Sequence, residues 1–217
     1  MIIKKGIRYF TRFKNSLIIT AVQTFLTLFF SSVVDYGLAI YTLKGRNLCF
    51  ILVLITLMIP TEALLFPLYK FMINLHLINT YAGLILPVII LPLAIFFFRQ
   101  CALSLSTELI EAARVDGCTE YDIFFRIMAP TMTPAYGAMA ILVGLFSLNN
   151  LLWPMIILNS IKSYTLPIGF VALISTYGIN MALLLSGSII AVVPVLILYL
   201  FMQSYFIEGL TSGSFKG

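Results

Sequence analysis

The sequence predicts an all-α fold: a polytopic transmembrane helix bundle that carries one polar helix-turn-helix loop. Three observations carry that prediction. Hydrophobic residues make up 61% of the chain and charged residues 10%, with a mean hydropathy of +1.08, far from the balance of a soluble domain. Long runs carry no charge at all, from Ile127 to Ile161 and again from Ser163 to Ile207. Finally, of eight acids, five (Glu108, Glu111, Asp116, Glu120 and Asp122) crowd into one short segment. Length alone would suit one or two soluble domains, and composition excludes them. The net charge of +5 reads as loop charge set against anionic lipid, not as a nucleic-acid surface. Cys49, Cys101 and Cys118 show no CxxC spacing, so neither a disulfide framework nor a metal site is expected.

Residues 1–14 place Lys4, Lys5, Arg8, Arg12 and Lys14 among Ile, Tyr and Phe. No small-residue cleavage site follows, so a signal peptide is not indicated and a basic interfacial segment is expected. About 20 apolar residues suffice to cross a bilayer. The first span is read over 16–40, with Asp35 its only charge, and the second over 48–69, broken near its end by Pro60 and Glu62. Lys70 to Thr80 reads as a loop with the sole histidine, His76. The third span covers 80–98 with Pro87 and Pro92 inside it, tolerated where neighbouring helices satisfy the freed carbonyls. The fourth lies within 131–157, the stretch 163–180 reads as interfacial or partly re-entrant, and the fifth span covers 183–206. In this five-span arrangement the basic residues divide almost evenly between the two sides. Six spans with both ends inside would follow the positive-inside rule more closely.

The polar island, 104–130, has the grammar of two short helices joined at a glycine. Ser106 or Thr107 can cap the first, Glu108 and Glu111 lie near its positive end, and Gly117 supplies a left-handed terminator. Thr119 and Asp122 have capping-box spacing, and Tyr121, Phe124, Phe125 and Met128 recur at helical intervals before Pro130.

Glu111-Ala112-Ala113, then Asp116-Gly117, then Phe125, Ile127 and Pro130 resemble the EAA loop of permease subunits of binding-protein-dependent ABC importers. Flanking segments extend the resemblance, to the maltose and glycerol-phosphate type of inner-membrane permease, over about 15–217. They include Leu77-Ile78-Asn79-Thr80-Tyr81-Ala82-Gly83, Phe98-Arg99-Gln100, Ser147 to Pro154, and Gly209-Leu210-Thr211 to Lys216-Gly217. In that family there are six spans, and the first is expected to be missing here, which would make residues 1–14 an extracytoplasmic connector. The resemblance implies a multi-pass subunit of the bacterial cytoplasmic membrane that moves a sugar or related solute and is not itself an enzyme. It implies as partners a second permease subunit, an ABC ATPase dimer gripping the cytoplasmic loop, and an extracytoplasmic solute-binding protein. No cofactor is expected in this chain, and ATP-Mg would be bound by the ATPase. Departures from the family pattern include Leu148 and Asn150 for Trp and an acid, Ile40 and Thr42 for arginines, Asp35 for a small residue, and Cys118 for Ala.

Individual residues can be weighed beside that resemblance. Glu111 would orient the loop by pairing with a basic group or capping a helix end. Ala112 and Ala113 would let a backbone approach a groove, and Gly117 is needed for the turn in either case. Asn149 and Asn150, with Trp153 near, could line a solute pathway or serve as inter-helix hydrogen-bonding groups. Asp35 reads as a snorkelling or helix-pairing acid near the inner interface, while Glu62 and His76 read as solvated. There is no G-x-x-x-x-G-K-[ST] loop to cradle ATP and no HExxH or GxSxG template for intramembrane hydrolysis. The competing expectations are a non-functional permease remnant, a secondary transporter, and a membrane scaffold. No internal repeat favours the second.

Overall fold

A computed structural model describes residues 2–41, 44–103, 105 and 107–177, with positions 185, 189, 192, 193, 196, 197, 199 and 200 beyond them. The described elements are all helical. α1 (Ile2–Ile40) is followed by α2 (Arg46–Leu57), α3 (Thr61–Asn74), α4 (Tyr81–Ile85, continued by a 3-10 turn over Leu86–Val88) and α5 (Pro92–Ala102). α6 (Thr107–Val115), α7 (Glu120–Asp122, continued by a π-helical turn over Ile123–Met128) and α8 (Ala129–Thr131) build the polar island. α9 (Thr133–Asn149), α10 (Leu152–Ile157) and α11 (Leu166–Tyr177) complete the set.

Only Phe10–Ile40 is a single described helix long and apolar enough to cross a membrane. Three helix pairs reach the same standard jointly: α2 with α3, the Tyr81–Val88 segment with α5, and the Glu120–Thr131 segment with α9. The interruptions are chemical punctuation that a hydropathy window does not register. α2 stops at Leu57 because a residue preceding proline is pushed out of the α region, and Pro60 opens α3. The expected 48–69 span is therefore two helices, and α3 runs on through Lys70 to Asn74, well into the expected loop. Leu91 takes extended backbone ahead of Pro92, splitting the expected 80–98 span, and α5 passes Arg99 to end at Ala102. The 131–157 span ends its first helix at Asn149, and the 163–180 piece contains an ordinary helix, α11. The fifth expected span, 183–206, lies outside the described residues apart from single positions, as do Ser106, Thr42 and the Gly209–Gly217 ending. Of residues 1–14, those from Ile2 onward are the start of α1.

The contacts divide the chain into two units, the first made of Met1–Leu26, Pro60–Ile89 and Leu142–Phe201 and the second of Thr27–Ile59, Ile90–Ile141 and Met202–Gly217. In the first unit Ile19, Met72, Leu84, Ile85, Trp153 and Ile157 form an apolar core. The Leu77–Gly83 segment is latched to it by polar chemistry. Asn79 adopts a left-handed φ of 59°, donates its N–H to Ile157 O at 2.9 Å, and accepts with its side-chain oxygen from the N–H groups of Asn159 and Ser160. Thr80 caps α4 by accepting from Gly83 N at 3.0 Å. Arg12 of α1 is buried, and its Nη1 donates to Gly169 O at 3.1 Å. Ser16 accepts from Leu166 N at 2.8 Å, fastening the start of α11.

In the second unit α1 presents Thr27, Ser31, Ser32 and Asp35 as a buried polar seam. Asp35 is 0% exposed, faces the charge of Arg99, and has no hydrogen bond to either carboxylate oxygen among the described residues, which fits a helix-pairing acid and not a snorkelling one. Arg99 is itself buried, its guanidinium stacked over the Phe50 ring at 3.9 Å. α2, which supplies Phe50, packs against α5 yet buries none of its residues fully. A helix that stays apolar on its outward face suits a lipid-facing position.

Candidate functional site

The polar island forms a compact helix-turn-helix within the second unit. α6 ends in a Schellman motif: Cys118 N donates to Ala113 O at 3.0 Å and Gly117 N to Arg114 O at 3.1 Å, with Gly117 at φ +79°. Two residues later the chain restarts through a complete capping box. The Thr119 hydroxyl accepts from Asp122 N at 3.2 Å, and the Asp122 carboxylate accepts from Thr119 N at 3.3 Å. These contacts hold the Asp122 carboxyl below the usual aspartate value. A π-helical turn then runs from Ile123 to Met128, the cap N–H of Ala129 reaching back to Phe124 O. Pro130 brings no N–H of its own and does not stop the helix, which breaks at Met132. The segments on either side of that break, Glu120–Thr131 and α9, meet at a 75° bend.

The loop residues named from sequence separate cleanly by exposure. Glu111, Ala112, Asp116, Gly117, Phe125 and Pro130 are exposed, Ile127 is half-buried, and Ala113 is buried where α6 packs on the π-helical turn. The Tyr121, Phe124, Phe125, Met128 pattern splits: Phe124 and Met128 face inward, while Tyr121 and Phe125 face out. With Leu109 and Val115 they give the loop an exposed apolar set, Val115 at 87% and Tyr121 at 79%. Glu111 has no hydrogen bond or ion pair among the described residues; the pairing expected of it is made instead by Glu120.

Glu120 was not singled out by its sequence context. Its carboxylate accepts from Arg114 Nε at 2.9 Å and Nη2 at 3.4 Å, from the Tyr36 hydroxyl, and also faces the Tyr41 hydroxyl. Arg114 first, then Tyr36, hold the carboxyl below the ordinary glutamate range. Gly117 brings Arg114 and Glu120 together across the turn, and Tyr36 arrives from the end of α1. No local periodicity announces either contact.

The second group of expected residues lies in the first unit. Asn149 is the exposed last residue of α9. Asn150 sits in the break after it, its Oδ1 accepting from Trp153 N at 3.4 Å to start α10. Trp153 is buried, and its indole N–H has no partner among the described residues. Asn150 and Trp153 line a small cleft with Ser16, Gln23, Ser147 and Thr165. Ser147 is fixed by donating to Gln23 Oε1 at 2.9 Å and accepting from the Thr20 hydroxyl at 3.1 Å. The buried Thr165 hydroxyl has no partner. The cavity wall carries no charge. It gathers donors and acceptors beside an indole.

Comparison with known proteins follows the same lines. Residues 36–207 match the family described as the binding-protein-dependent transport system inner membrane component. The chain belongs to that family. It is a permease, a transporter component and not an enzyme. It is 56% identical over 212 residues to the arabinooligosaccharides transport system permease protein AraQ of Bacillus subtilis, covering 98% of this chain and 75% of that one. It is 38% identical over 204 residues to the lactose transport system permease protein LacG of Rhizobium radiobacter, covering 94% and 74%. In fold it is similar to a chain of a bacterial ABC transporter involved in the import of the acidic polysaccharide alginate, with a TM-score of 0.81 at 23% identity, covering 92% and 75%. The carbohydrate importer permeases that the sequence resembles are thus its own family, and its all-helical membrane fold is theirs.

Proposed function

We propose that this permease lines the transmembrane pathway of an ATP-driven importer for a neutral oligosaccharide in the bacterial cytoplasmic membrane. It would work beside a second permease subunit and take substrate from an extracytoplasmic binding protein. An ATPase dimer that holds ATP-Mg would seat on the loop spanning 104–130. The observation that carries this reading is the loop itself. It is a preformed helix-turn-helix whose exposed face offers Glu111, Ala112 and Asp116 alongside Leu109, Val115, Tyr121 and Phe125. An exposed Ala112 flanked by apolar side chains and by an acid with no partner among the described residues is suited to a groove on another protein. The relatives named for arabinooligosaccharides and lactose support the substrate class.

The test is substitution in the loop. Gly117→Pro removes the left-handed turn, and Glu111→Lys reverses the exposed acid. Both variants are expected to insert into the membrane at wild-type levels yet to lose ATPase co-purification and solute uptake. Uptake at wild-type rate in both would remove the coupling role from this loop.

A further inference from the structure

We propose that Glu120 is a positioning residue for coupling, its carboxylate fastening the loop to the end of α1 so that a push on the loop is delivered to α1. The inference rests on the reading that the loop docks an ATPase, and it adds the route by which force leaves the loop.

Three elements of the second unit meet at this one carboxylate. Arg114 comes from the last turn of α6 and grips it through two nitrogens, at 2.9 and 3.4 Å. Glu120 itself opens the helix that follows the Gly117 turn. The Tyr36 hydroxyl comes from α1, a helix that runs without a break from Ile2 to Ile40. Tyr36 is buried, its ring edge-on to Phe124 at 5.4 Å and to Tyr41 at 5.8 Å, so the hydroxyl is held in place. An isolated exposed ion pair does little for stability. A shared acceptor that ties two sequence-distant elements is different in kind, because it fixes their relative position and not only their energy. Without the carboxylate, α6 keeps its covalent turn and its packing on Ile123–Met128. The loop would then meet the end of α1 only through the Tyr36–Phe124 ring contact among the contacts named here. The loop could still be gripped, and its displacement would be spent in the turn.

The complete importer in proteoliposomes tests this, with ATPase subunits, partner permease and binding protein present. Uptake, ATP hydrolysis and the ATPase retained by the permease are measured for Glu120→Ala, Glu120→Gln and Tyr36→Phe. The expected result is unchanged ATPase retention with solute moved per ATP falling about fivefold or more for Glu120→Ala, the low end of ordinary coupling factors. Glu120→Gln keeps an oxygen for Tyr36 and is expected to be intermediate. Tyr36→Phe removes one hydroxyl from a ring that stays packed, and it reads out the proposal even if Glu120→Ala fails to accumulate. Unchanged solute per ATP in Tyr36→Phe and in every Glu120 variant that accumulates overturns the proposal, as does loss of ATPase retention, which would make Glu120 a docking contact. Glu111→Lys and Gly117→Pro, run in parallel, separate the two readings: if both leave retention and uptake intact, the docking reading fails whatever Glu120 does.

Discussion

Glycines make the sharpest statements at the scale of single residues. At Gly117 nothing lies within 4 Å of where a β-carbon would stand, and φ is +79°. The cost of alanine there is conformational alone, about 1–2 kcal/mol for an L-residue held in the left-handed region. Gly83 is the opposite case, since a β-carbon would sit 2.2 Å from Leu77 O. Gly83→Ala must displace the latched Leu77–Thr80 turn, at about 1–3 kcal/mol in the manner of overpacking. Gly37, inside α1 with open space around it, is the control, where alanine should be neutral or stabilise by up to about 1 kcal/mol. Thermal unfolding of the purified variants in detergent should rank Gly37→Ala highest and both others below wild type. The Asp-Gly pair announced the Gly117 turn in the sequence. The left-handed Asn79 did not announce itself, because its partners Ile157, Asn159 and Ser160 lie some eighty positions downstream and only the fold brings them within reach.

Two contacts between elements carry further expectations. Asp35 of α1 faces the charge of Arg99 of α5 in a buried setting, with no ion-pair contact between them and with Asp35 and Arg99 Nη1 lacking hydrogen bonds among the described residues. Removing Arg99 leaves the buried Asp35 without the opposite charge it faces, so Arg99→Met alone is expected to destabilise, whereas Arg99→Met with Asp35→Leu should recover most of the loss. A double-mutant cycle read by denaturation midpoint checks this, and simple additivity would dissolve the pairing. The loop carries the pH dependence. Glu120 is depressed by Arg114 and then by Tyr36, so its contribution is fully present above the unfolded glutamate value of about 4.3 and is lost as pH falls through the lower folded value. Asp122 is lowered in the same sense by Thr119. The stability difference between wild type and Glu120→Gln, followed from neutral to acid pH, therefore isolates Glu120: it should be flat above about pH 5 and close below it. The capping box and the Gly117 terminator were legible from local spacing. The Glu120 cluster was not, because it joins α1 to a turn across more than eighty residues.

For the whole molecule, composition pointed to a helical membrane protein, and the loop motif together with the flanking segments pointed to which kind. What the hydropathy profile blurred was continuity. Pro60, Pro92 and the Asn150–Leu151 break each divide a stretch that reads as one span, because a window average counts apolar side chains and not backbone donors. The cavity was half legible. Asn150 and Trp153 stood out by rarity in an apolar run, while Ser16, Gln23 and Thr165 come from other elements. The loop lies in the second unit and the Trp153 cleft in the first.

In the proposed importer the helix-turn-helix faces the cytosol and is covered by the ATPase. Cys118 is exposed at its turn, so a variant with Cys49→Ser and Cys101→Ser carries its own reporter. A membrane-impermeant maleimide is expected to label Cys118 in inside-out vesicles, to be blocked there by added ATPase subunits, and to leave intact cells unlabelled. Labelling of intact cells, with none in inverted vesicles, would contradict the account.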